Sequence, residues 1–175
     1  MLLSNNIENN LAKATNNITL PKKSRSYELC VRADALRFAK SYRESVKIYL
    51  DSIMMDRNHQ EAYWGLAISY KYLTEYKKAI KTLEKLVELD NKNDKYFYEL
   101  GVCYLSDGRP AEAIPHLISA IVNNRENLEA QIQLAIAHEL VEETDLSLMI
   151  YNKLNLSDFK YIKNLSFLYS ELLES

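Results

Sequence analysis

Small and large apolar residues recur along this chain at one fixed interval from Ser26 onward. A shift of 34 positions superimposes Ala33, Ala67, Gly101 and Ala135, and again Ser45, Ala79, Ala113 and Ser147. Large residues keep the same step. Leu66, Leu100 and Leu134 align, with Arg32 the exception, as do Leu36, Tyr70, Tyr104 and His138. Val46, Ile80, Ile114 and Leu148 form another row, and Tyr49, Leu83, Leu117 and Tyr151 a further one. Within each interval the apolar positions have helical spacing, so the pattern predicts a stack of helix pairs. The small residues mark where the two antiparallel helices of a pair cross closely, and the large ones fill the space on either side.

Short breaks are expected inside each pair at Ala39 to Ser41, Leu73 to Glu75, Asp107 to Arg109 and Glu142 to Thr144. Gly108 gives the clearest of them, and Pro110 suits the first turn of the helix that follows. Polar turns close the units at Asp56-Arg57-Asn58, Asp90-Asn91-Lys92-Asn93 and Asn123-Asn124-Arg125.

These rows resemble the tetratricopeptide repeat family, whose helix-turn-helix unit has this period. The third unit matches best, through Leu100-Gly101, Tyr104, Gly108, Ala113 and Ala120, and the second nearly as well, through Leu66-Ala67, Tyr70, Ala79 and Leu86. The first departs at Arg32 and Ser52, the fourth at His138 and Ser147, and Arg57, Asn91 and Arg125 stand where the family often has proline. The resemblance implies an all-α, right-handed superhelical solenoid of four units, 26–59, 60–93, 94–127 and 128–155. Before it lies an Asn-rich basic arm, 1–25, read as flexible, whose Ile18, Leu20 and Pro21 are an alternative occupant of the inner face. After it, Ser157 is a candidate N-cap for a capping helix within 156–175, with Phe159, Ile162, Leu165, Leu168 and Leu172 on one stripe.

Composition narrows the role. A net charge of -2 creates no field that would gather nucleic acid or anionic lipid. The most apolar stretch, Ala113 to Val122, is broken by Pro115 and His116 and is shorter than a membrane span, so no membrane partner is expected. The first ten residues lack the apolar core of a secretory signal, and Cys30 and Cys103 are read as reduced thiols, so the expected location is cytoplasmic.

In the family the first helices of successive units line a concave face. By register the expected partner-binding groove consists of Cys30, Asp34 and Arg37; Glu61, Trp64, Ile68 and Lys71; Lys95, Tyr98, Val102 and Leu105; and Glu129, Ile132 and Ile136. The central rows are apolar or aromatic, as for a surface that receives an apolar or amphipathic segment of a protein or peptide partner. The carboxylate clamp that some family members use for chaperone C-termini falls here on Cys30, Asp34, Gly65, Lys95 and Glu99, so that only Lys95 fits. Homo-oligomerisation and a small secretion-type chaperone are the alternatives to an adaptor. No catalytic constellation is expected and no cofactor or metal: Glu142 stands where a zinc-protease helix opened by His138-Glu139 would need its second histidine.

Overall fold

A computed structural model describes residues 22–154, and among these every element is helical. The helices are α1 (Lys22–Phe38), α2 (Tyr42–Met55), α3 (Gln60–Tyr72), α4 (Tyr76–Leu89), α5 (Asp94–Ser106), α6 (Pro110–Asn123), α7 (Leu128–Leu140) and α8 (Thr144–Lys153). Each packs on the helix before and after it, and α1 also meets α3, as α5 meets α7. This is the solenoid of helix pairs that the spacing predicts. The first helix begins at Lys22, upstream of the expected onset at Ser26. The arm before it and the expected capping helix lie outside the described residues.

The small rows sit where the helices cross. Ala33, Ala67 and Ala135 are buried, as are Ser45, Ala79, Ala113 and Ser147. At Gly101 a Cβ would stand 2.6 Å from Leu117 Cγ, so even alanine would push the pair apart. Leu83, Leu86, Leu100, Leu105 and Leu117 fill the space beside these crossings.

Every pair turns by one device. Lys40, Thr74, Gly108 and Glu142, again 34 apart, have φ of 61, 57, 75 and 65°. The next residue's N–H reaches back to the last helical turn, from Ser41 to Leu36 O, Glu75 to Tyr70 O, Arg109 to Tyr104 O and Glu143 to His138 O. The left-handed residue's own N–H closes on Arg37, Lys71, Leu105 or Glu139. This Schellman closure satisfies helix-end carbonyls, and glycine suits its left-handed position best. The fourth break therefore spans 141–143, one residue earlier than Glu142 to Thr144, and Thr144 opens α8. Between units, Asp56, Asp90 and Asn124 accept from the backbone N–H two residues on, at 3.0, 3.0 and 3.1 Å. These Asx turns make the corners that the expected proline would otherwise stiffen.

Candidate inner-face binding surface

Helix α3 carries the centre of the inner face. Trp64 is half-buried and tilts against Tyr96 of α5, ring centroids 5.4 Å apart, with Tyr98 packed on the same core. Val102 and Ile132 are also half-buried, while Glu61, Lys95 and Glu129 are exposed around them. The remaining expected lining residues are placed differently. Ile68 is 9% exposed, and Cys30, Leu105 and Ile136 at most 3%, so these four serve packing rather than contact. Neighbouring first helices approach one another, as α1 and α3 do, and a row read as lining is then shared between them.

Two cations of the expected groove, Arg37 and Lys71, are committed within the fold. Lys71 Nζ lies 2.5 Å from Glu99 Oε2, and both side chains are largely buried. Arg37 donates to Asp34 Oδ1 at 2.8 Å and to the Tyr49 hydroxyl at 3.0 Å, while that hydroxyl donates to Asp34 Oδ1 at 2.6 Å. Tyr49 belongs to α2 and reaches this cluster by passing over Gly65, where a Cβ would lie 2.2 Å from the Tyr49 Cζ. Burial, with the Asp34 hydrogen bond, pushes the Tyr49 phenol well above its usual range.

Sequence reasoning missed two aromatic rings. Phe38 and Tyr72 are 75% and 60% exposed, one turn beyond Asp34 and Ile68 on the same stripe. The Arg37 guanidinium covers the Phe38 ring at 4.4 Å, and Tyr72 stacks on Tyr42 at 4.7 Å. The signal was available, since an aromatic follows a cation at the end of both helices, 34 residues apart. Tyr27, at 62% exposed, extends the aromatic character to the first turns of α1.

Ser52, one of the first unit's two departures from the repeat, also gains a reason. Ser26 and Ser52, both wholly buried, bond each other and His59 Nδ1, at 2.6 Å from Ser26 Oγ and 3.2 Å from Ser52 Oγ. Ser52 Oγ also donates to the Ser26 carbonyl at 2.7 Å. Glu61 lies 3.6 Å from His59 Nε2. The serine, imidazole and carboxylate follow one another as in a hydrolytic relay, but the Ser26 hydroxyl has no exposed surface for a substrate to meet. The Cys30 thiol is pushed up to about 11 by burial and then by the nearby Asp34 and Glu61, which makes it a poor nucleophile near neutral pH. His138 donates through Nδ1 to the Glu143 carboxylate at 2.6 Å. Among the described residues no three His, Cys, Asp or Glu side chains are grouped to hold a metal.

Comparison with known proteins supports this reading of the fold. Residues 60–93, the second unit, match the family model of the tetratricopeptide repeat. No curated protein matches the sequence. Solved structures that superpose on the chain include YrrB, described as a tetratricopeptide repeat protein with an unusual peptide-binding site: 22% identity, 82% of this chain, 77% of that one, TM-score 0.68. MamA from Desulfovibrio magneticus RS-1, residues 41 to the end, is 18% identical over 77% of this chain and 76% of its own, with TM-score 0.71. The first tetratricopeptide domain of Spaghetti (RPAP3), bound to the HSP90 peptide SRMEEVD, is 16% identical over 69% of this chain and 95% of its own, with TM-score 0.66. The second unit is thus a tetratricopeptide repeat by sequence, and the helix pairs on either side of it share the fold of tetratricopeptide repeat proteins.

Proposed function

We propose that the inner face binds an apolar or amphipathic polypeptide segment, and that the protein is a cytoplasmic adaptor or chaperone-like scaffold. The supporting observation is the aromatic surface of Trp64, Tyr96 and Tyr98, half-buried at the junction of the second and third units. Rigid aromatic rings of this kind give large contact area at low entropic cost. Peptide binding by YrrB and by the Spaghetti domain, as their descriptions state it, agrees with this use of the fold.

The charges argue for the kind of peptide. Lys71 is held by Glu99 and Arg37 by Asp34, so neither cation is available to grip a terminal carboxylate. Exposed Glu61 and Glu129 outnumber exposed Lys95. A segment with apolar anchors and one or two basic residues fits this surface better than an acidic C-terminus. No described helix is long and apolar enough to cross a membrane.

Trp64 is the chain's sole tryptophan and so reports on the groove directly. Peptides selected from a random display library should share apolar anchors and shift Trp64 emission on titration. The shift should disappear with Tyr98→Glu at unchanged helicity. Selected peptides that leave Trp64 emission unmoved, or that bind Tyr98→Glu equally well, would refute the proposal.

A further inference from the structure

The second helices splay apart on the outer side of the solenoid, since α2 and α4 each pack on α3 but scarcely on each other. A cleft of about 500 Å³ lies between them, lined by Tyr63 and Tyr70 of α3, Leu50 and Ile53 of α2 and Thr82 of α4. The next unit shows what fills such a place. There Phe97 and Tyr104 stand for Tyr63 and Tyr70, and His116 stands for Thr82. The His116 ring stacks on Tyr104 with centroids 5.2 Å apart and planes 5° from parallel, and its centroid lies 6.5 Å from that of Phe97. One unit further, Ile150 holds this row and packs against the core. Thr82 is the short member of the row Ile48, Thr82, His116 and Ile150, so the two tyrosines meet a cavity instead of a ring.

Charge along the rim is uneven. Lys78 pairs with Glu75 at 2.6 Å and Lys85 with Glu88 at 2.7 Å, while Glu84 accepts from the Tyr104 hydroxyl at 2.9 Å. Lys81 borders the same cleft, is exposed and has no acidic partner among the described residues. It also stands four residues from both Lys77 and Lys85, a like-charge spacing that weakens a helix. At the cleft, then, α4 carries a cation that its own stability does not call for. The Thr82 hydroxyl donates to Lys78 O at 2.7 Å and needs no polar partner in the cleft.

We propose that this cleft is a second peptide site, on the face opposite Trp64, and that it takes an aromatic side chain with a carboxylate beside it. The ring lies on Tyr70 as His116 lies on Tyr104, a stacked arrangement that adds to simple area burial. The carboxylate meets Lys81, the one rim cation without an acid of its own. Lys78 Nζ stands 5.5 Å from the Tyr70 ring centroid and, at 62% exposed, can swing aside. The occupant is opposite in charge to the segment that suits the inner face, so the two sites select different partners or different segments of one partner.

Fluorescence anisotropy of a labelled peptide with one phenylalanine between aspartates tests this on the full chain. Affinity should fall by roughly tenfold or more when alanine replaces the phenylalanine, and likewise when lysines replace the aspartates. Thr82→His, which supplies the ring that His116 supplies in the next unit, should close the cleft and lose the peptide at unchanged circular dichroism. Lys81→Glu should lose it too, yet unfold at an equal or higher urea concentration, because the change relieves Lys77 and Lys85. A purely structural role for Lys81 would not produce that split. Absence of saturable binding overturns the proposal, as does equal binding of the alanine or lysine peptide, or equal binding by either variant. Free phenylacetate that binds as tightly as the peptide would make the cleft a small-molecule site and overturns it as well. Trp64 emission should stay unmoved by this peptide; a shift would place the peptide on the inner face and sink the outer site, whereas failure of the inner-face peptides leaves this result standing.

Discussion

Replacing Gly65 with alanine should destabilise the protein even though alanine is the better helix former. In an open helix interior the change would stabilise by about 1 kcal/mol. Here the new Cβ would stand 2.2 Å from Tyr49 Cζ, against a comfortable separation of roughly 3.6 Å, and Tyr49 is wholly buried with no room to retreat. Overpacking of this kind costs about 1–3 kcal/mol. Any retreat also breaks the Tyr49 hydroxyl bonds to Asp34 and Arg37, at 2.6 and 3.0 Å, where a bond to a charged partner is worth about 1.5–3 kcal/mol. The opposing terms leave a net loss of about 3 kcal/mol, which should lower the urea midpoint by more than about 1 M. The register supplies the control: where the Tyr49 row holds leucine, at Leu83, the next unit has Glu99 in place of glycine. In a Tyr49→Leu background, Gly65→Ala should therefore become neutral or stabilising. A stabilising Gly65→Ala in the wild-type chain, or a sign unchanged by Tyr49→Leu, would show that the clash is not the controlling term.

The left-handed turn positions predict opposite outcomes for two substitutions. Thr74, β-branched at φ 57°, is strained, so Thr74→Gly should raise stability by about 1 kcal/mol, while Gly108→Ala, at φ 75°, should lower it by a similar amount in the same denaturation assay. The buried thiols set an alkaline limit. Cys30 is raised from 9.0 to about 11 and Cys103 to about 12, so the unfolded chain loses these protons first, and stability should fall as pH climbs above about 9; replacing both by alanine should flatten that limb of a pH–urea series. Both thiols should resist alkylation in the native state at neutral pH and react on unfolding. Peptide affinity read from Trp64 should change less than about threefold between low and moderate salt, since Arg37 and Lys71 are committed internally; a tenfold loss would mean that charge carries the binding.

The architecture was legible because period and side-chain size are properties of a sequence read against itself. Two rows of small residues placed every helix crossing, and the breaks at Ala39, Leu73 and Asp107 fell where the helices end. The last break slipped by one residue because its left-handed position is filled by Glu142, which carries no turn signal of its own. Lys40 and Thr74 occupy the same conformation with equally little warning. The inner face was legible as a stripe but not as a surface. Spacing assigns Ile68 and Ile136 to the same rows as Val102, and only the approach of neighbouring helices decides which of them is covered. The Lys71–Glu99 pair joins helices of two different units, so no local pattern announces it.

Departures from the repeat are informative according to whether a second departure answers them. Tyr49 is larger than the leucines of its row, and Gly65 is smaller than Glu99 of its own; the two meet, and each explains the other. Ser52 stands where Leu86 and Ala120 stand in later units, and Ser26 and His59 meet it in one buried network. Each departure is closed by a contact inside the chain, and no external partner is needed to account for it. The outward rows behave differently: Leu50 and Met54 of α2, Glu84 and Glu88 of α4 and Ile118 and Val122 of α6 alternate between apolar and charged, and all are exposed. What separates these outward rows from the paired substitutions is therefore the absence, among the described residues, of a second departure that meets them.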